Sequence, residues 1–165
     1  MPLNQYNVLI RVLRRLNKPV VVSVQGAIAG AAVGLATACD LLIADSAYFF
    51  VPHMLHGGAC DGMTTYFLPR IIGVRKTMEL ALLGERISAA EAQRLGLVNF
   101  VVPAAEFEAE TAKLATRLAS GPTRAYGLIR NEVEAESYAA SANTSDWSEG
   151  IRAFLEKRKP KFSGA

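Results

Sequence analysis

GAIAGAAVGLATACD, residues 26–40, carries three glycines at four-residue spacing and six alanines, with no charged side chain before its closing aspartate. Three arrangements use such a run: a membrane helix packed through small residues, a backbone loop that cradles an anion, and a helix buried in a globular domain. The flanks choose among them. PVVVSV, residues 19–24, is a β-branched run led by a proline, where a missing N–H costs least, and predicts a buried strand. Ser23, Gln25 and Gly26 interrupt the apolar run, so the helical remainder is about 14 residues, roughly 21 Å, too short to span a bilayer. LLIA at 41–44 and AYFFV at 47–51 are further short apolar runs that predict strands. Strand, helix, strand is a crossover unit of an α/β fold, and the opening stretch reads as a tight turn running into a buried helix.

The rest of the chain agrees with a globular protein. Its 165 residues are 51% hydrophobic and 20% charged, which suits one domain with a real core. The formal net charge of +3 gathers at the two ends, in Arg11, Arg14 and Arg15 and in Lys157, Arg158, Lys159 and Lys161, and suits an anionic small ligand. Aromatic side chains are not interleaved with these cations, so nucleic acid is not an expected partner. Cys39 and Cys60 have neither disulfide-framework nor zinc-ligand spacing, and the chain is expected in the reducing cytoplasm. MPLNQYNVLIRVLRR shows no apolar run followed by a small-residue cleavage site. Its arginines imitate a transit peptide, but Leu3, Tyr6, Leu9, Ile10, Leu13 and Leu16 recur at helical spacing and predict an amphipathic helix ending near Asn17.

Past Pro52, HMLHGGACDG lacks periodicity and reads as a loop. Residues 74–84 predict a helix stopped by glycine. Ser88 with Glu91 forms a capping box before a helix that Gly96 closes. LVNFVV, 97–102, predicts a strand. From Pro103 the pattern is helical, over 104–120, 122 to about 140, and 148–157, with no repeats.

KPVVVSV, GAIAGAAVGLATACDLLIA, AYFFVP, LPRIIG, LLGERISAAEAQRLGLVN and GIRAFLEKRKPKF follow one another in an order that resembles the enoyl-CoA hydratase/isomerase family, the crotonase superfamily, from Lys18 to Phe162. The resemblance implies a single α/β domain over 1–165: a ββα spiral core, partial over 1–102 because the N-terminal strands are missing, then a helical oligomerisation region over 103–165. Between Glu136 and Tyr138 the helical region is shorter than the family pattern. The resemblance further implies an acyl-CoA thioester substrate, coenzyme A being part of that substrate and no separate cofactor or metal being needed. The expected assembly is a homo-oligomer, trimer or hexamer, with no membrane contact. In the family two backbone N–H groups hold the thioester oxygen. The second would here be that of Ala31, at a helix N-terminus where free N–H groups and the dipole favour an anion. The first belongs to a loop ahead of the initial helix, and this chain begins after it.

The two family glutamates fall at Gly34 and His53, which removes the carboxylate pair that ordinary hydration uses. Asp61 falls where dienoyl-CoA isomerases and aroyl-CoA dehalogenases place a working aspartate. With His53, a residue type that titrates near neutrality, it is expected to form a proton-transfer pair suited to double-bond migration. The alternative for Asp61 is a helix N-cap before GMTTYFL, and for His53 a loop residue bonded to backbone. His56 reads as a bland loop residue without a catalytic role. Cys60 is a poor nucleophile beside Asp61, because a neighbouring carboxylate raises a thiol's pKa. Phe154 and Lys157 match positions that reach the coenzyme A of a neighbouring subunit, aromatic to adenine and amine to phosphate, against core packing and a solvated helix end. The expected function is therefore an enoyl-CoA hydratase/isomerase-type enzyme favouring isomerisation. The alternative is a truncated non-catalytic module that keeps the oligomer interface.

Overall fold

A computed structural model describes residues 3–130 and 143–164. The chain divides into two compact units, one of Met1–Arg14 with Val20–Thr111 and one of Arg15–Pro19 with Ala112–Ala165. The first unit holds α1 (Leu3–Arg14), β1 (Val21–Val24), β2 (Ala27–Ala29), α2 (Ala31–Thr37), β3 (Leu41–Ala44) and β4 (Tyr48–Phe50). A 3₁₀ turn at Pro52–His56 leads to α3 (Thr64–Ile72), α4 (Val74–Leu83), β5 (Ile87–Ser88), α5 (Ala89–Arg94) and β6 (Phe100–Val101).

Among the described residues the strands form two three-stranded sheets, ordered β1-β3-β6 and β2-β4-β5. Two successive strand–strand–helix turns, β1β2α2 and β3β4α3, build them. The first strand of each turn enters one sheet, Val21 beside Leu41, and the second enters the other, Ala27 beside Tyr48, both pairings parallel. This is the expected ββα spiral.

The AIA of the opening stretch is a finding of its own. Expected as part of a turn, it is strand β2. Gly26 and Gly30 both have positive φ, 71° and 58°, and they bracket three residues, too few for a helical nucleus. Pairing with β4 satisfies their backbone instead. The helix that follows is correspondingly short, and among the described residues no helix is long and apolar enough to cross a membrane.

The core of this unit lies between the sheets and helices α2 to α5, around Val33, Phe49, Val51 and Leu68, each at most 2% exposed. Burying each such side chain is worth roughly 1.5–3 kcal/mol. Ser88 caps α5, accepting from the Glu91 N–H at 3.2 Å, and Gly96 follows with φ 81°. The Glu91 carboxylate, by contrast, turns outward to Arg94, so only half of the capping box forms. LVNFVV is a strand only at Phe100–Val101.

In α6 (Phe107–Ala119) the chain passes from the first unit to the second. The second unit continues with α7 (Thr123–Arg130) and α8 (Ser145–Leu155). Arg130, 8% exposed, donates to the Leu16 carbonyl, and Gly127 packs on the Asn17 backbone. The expected continuation of α7 to about 140, and the shortening between Glu136 and Tyr138, lie outside the described residues.

Candidate active site

Pro52, at the first position of its 3₁₀ turn, has the φ that such a start needs, and Gly57 closes the turn in the left-handed region with φ 66°. One turn separates the two histidines. His53 points inward with a side chain 14% exposed, and His56 is exposed.

The loop then doubles back. Asp61 Oδ1 lies 2.6 Å from His53 Nε2. In the tautomer that carries hydrogen on Nε2 this contact is a donation to the carboxylate. The Asp61 N–H, 3.4 Å from the same nitrogen, is a secondary contact. Nδ1 of His53 is buried and has no hydrogen-bond partner among the described residues.

The cap alternative for Asp61 does not describe this geometry. Asp61 does not cap α3 with its side chain. The cap position is Met63, and it is the Asp61 carbonyl that accepts from the Thr64 N–H at 3.0 Å and the Thr64 hydroxyl at 2.7 Å. Its carboxylate is left for His53, and among the described residues nothing hydrogen-bonds the second oxygen, Oδ2. His53 does bond to backbone, its ring meeting the Asp61 N–H at 3.4 Å and its carbonyl accepting from the Gly58 N–H at 3.0 Å, so that alternative holds alongside the carboxylate contact.

Ala31 opens helix α2, and among the described residues no acceptor takes its N–H. Gly30 before it adopts φ 58°, ψ −128°, and its own N–H donates to the Phe50 carbonyl at 3.2 Å. A Cβ built on Gly30 would stand 3.5 Å from His53 Nε2. The free amide at the helix entrance and the His53–Asp61 pair therefore belong to one locus.

Cys60 is half-buried beside this locus. Burial first, and the charge of Asp61 second, push its thiol up, which suits an inert side chain.

Phe154 and Lys157 are in the second unit. Phe154 is 80% exposed near the end of α8, so it is not a core residue within the chain. Lys157 follows the helix with φ 53°. The Arg158 N–H returns to the Ala153 carbonyl and the Lys157 N–H to that of Phe154, a Schellman-type ending.

The enoyl-CoA hydratase/isomerase family model matches residues 2–143. The chain belongs to that family. The trans-2-decenoyl-[acyl-carrier-protein] isomerase of Streptococcus mutans is 36% identical over 92% of the chain and 64% of its own length. The 1,2-epoxyphenylacetyl-CoA isomerase of Escherichia coli is 36% identical over 96% of the chain and 66% of its own. Among solved structures, an enoyl-CoA hydratase from Bacillus anthracis superposes with a TM-score of 0.92 at 30% identity, over 99% of this chain and 69% of that one. The chain thus spans about two thirds of the length of these relatives. Membership agrees with the two-sheet spiral and the helical second unit.

The sequence offers His53, Asp61 and Ala31 as candidates but not the residues that bring them together, Gly30, Gly62 and Thr64. Their signal is weak in one dimension, since glycine and threonine are common in loops and their partners lie on other elements.

Proposed function

We propose that the protein is an acyl-CoA-metabolising enzyme of the enoyl-CoA hydratase/isomerase type that moves a proton along the acyl chain rather than adding water. The observation that carries this is the 2.6 Å contact of His53 Nε2 with Asp61 Oδ1 beside the unengaged Ala31 amide, with glycine and histidine at the two positions where the family pattern has glutamate. Hydration needs a water held and deprotonated between two carboxylates. Migration needs one base that takes a proton and returns it elsewhere.

In this reading the Ala31 N–H donates to the thioester oxygen. Asp61, through Oδ2, takes a proton from the carbon α or γ to the carbonyl, and the C–H electron pair passes into an enolate whose charge sits on that oxygen. The same carboxylic acid then protonates the other carbon, and the double bond has moved with no net gain or loss of atoms. His53 orients the carboxylate by donating to Oδ1. Phe154 and Lys157 would receive the adenine and a phosphate of coenzyme A in a homo-oligomer. Coenzyme A enters as part of the substrate, so this chemistry calls for no resident cofactor.

The test is to assay the purified protein for enoyl-CoA hydration and for double-bond migration side by side. Migration should exceed hydration, and Asp61→Asn should lower its kcat by 10²–10⁴, the usual worth of a positioned acid–base group, with the fold retained. Migration unchanged in Asp61→Asn removes the proposed base. Absence of any acyl-CoA turnover together with absence of coenzyme A binding by calorimetry rejects the enzyme reading.

A further inference from the structure

Gly34 stands where the family pattern places a carboxylate, and what fills that space is backbone. A Cβ on Gly34 would overlap the Gly62 carbonyl oxygen, far inside van der Waals contact, and would stand 2.7 Å from the Gly62 carbonyl carbon and 2.9 Å from Thr64 Oγ1. Gly62 in turn lies against Ala31, one helical turn earlier. A Cβ on Gly62 would meet the Ala31 Cα and carbonyl oxygen at 2.8 Å and the Ala31 Cβ at 2.9 Å. The loop that carries Asp61 therefore rests on the first turns of α2 through two glycines, with no side chain from either glycine between the backbones.

Asp61 is the first residue of the turn so seated. Gly62 and Met63 have φ of 57° and 56°, and the Thr64 N–H returns to the Asp61 carbonyl, the signature of a type I′ turn. Met63 accepts a conformation that side chains disfavour, so something outside the turn must hold it there. The seat on α2 is the contact positioned to do so.

We infer that Gly34 is a positioning residue: its bare α-carbon seats the Gly62 carbonyl on α2 and thereby sets Asp61 against His53. A carboxylate at position 34 and the His53–Asp61 pair exclude one another in this backbone. The geometry stands by itself, and only its catalytic consequence rests on the proton-transfer reading above.

The test uses the ¹⁵N-labelled full chain and the imidazole nitrogen signals of its two histidines, assigned with His56→Gln. Alanine is a better helix former than glycine, so Gly34→Ala would raise Tm if the site were only helix. The expected result is a lower Tm and a His53 Nε2–H signal moved to its position in Asp61→Asn, with His56 unmoved. Should Gly34→Ala fail to fold, the same comparison is made in a Met63→Gly background, which frees the turn of its left-handed side chain. A raised Tm with a wild-type His53 signal overturns the inference. Migration measured on the same samples separates the two readings. A responsive His53 signal without migration in the wild type keeps the positioning role and rejects proton transfer. Asp61-dependent migration with a His53 signal indifferent to Gly34→Ala does the reverse.

Discussion

Gly30 enters helix α2 with φ 58° and ψ −128°, a conformation that an L side chain occupies only at a cost of about 1–3 kcal/mol. That conformation leads directly into the Ala31 amide, which has no acceptor among the described residues, and it brings the Gly30 α-carbon up against the His53 ring. The same locus makes a prediction about Cys60. Its thiol is raised by burial first and by Asp61 second, so thiolate is scarce near neutral pH. Iodoacetamide should modify it slowly, and Asp61→Asn should speed the reaction several-fold at fixed pH by removing the smaller of the two causes. An alkylation rate equal in both proteins would show that the carboxylate does not act on the thiol.

At the scale of elements, helix ends follow side-chain chemistry. Helix α8 begins at Ser145 rather than 148, because the Thr144 hydroxyl accepts from the Trp147 N–H at 3.1 Å and adds a turn ahead of the apolar face. Beyond its C-terminus the chain is tied back to the same helix. Asp146 accepts from the Ser163 and Gly164 N–H groups, while Glu149 accepts from Arg158 and from the Lys161 N–H. The Arg158 hydrogen bond, and then that N–H, pull the Glu149 carboxyl down to about 2 from the ordinary 4.5. Between these values the folded chain binds less proton than the unfolded one. The contribution of this tie is therefore full above about pH 4.5 and is lost as pH falls through about 2. NMR titration of the Glu149 side chain should place its midpoint near the lower value, and Arg158→Ala should move it up toward the ordinary one. A wild-type midpoint at the ordinary value would mean that the ion pair does not persist in solution.

For the molecule as a whole, the first unit depends on contacts between residues distant in sequence. Each of its sheets joins strands from different turns of the spiral, and Leu68 of α3, fully buried, belongs to the same cluster as Val33 of α2 and Phe49 of β4. Leu68→Ala should cost about 2–5 kcal/mol, the usual range for a buried leucine whose cavity only partly collapses. Against a total of about 5–15 kcal/mol, that is a large share. Urea unfolding followed by far-UV circular dichroism measures it, and a loss below about 1 kcal/mol would mean that the site repacks.

Local chemistry was legible in one dimension. The β-branched run before Val24, the glycine stops at Gly84 and Gly96, the Ser88 cap and the ordered motifs of the family all depend on neighbours a few residues away, and they determined the α/β spiral and the family. Asp61 and His53 were readable as candidates for the same reason, being the titratable residues in an irregular loop with family counterparts. Whether AIA would be turn or strand was not legible, because the β4 backbone that satisfies it lies across a helix and a strand. Nor was the use of the Asp61 side chain, since an aspartate ahead of a helix caps as readily as it pairs. The tertiary structure decided that point by spending the Asp61 carbonyl on Thr64 and its carboxylate on His53. It also decided what Gly34 is for. In the sequence Gly34 is an absent glutamate; in the fold it is room for the Gly62 carbonyl, because a Cβ at position 34 would overlap that oxygen.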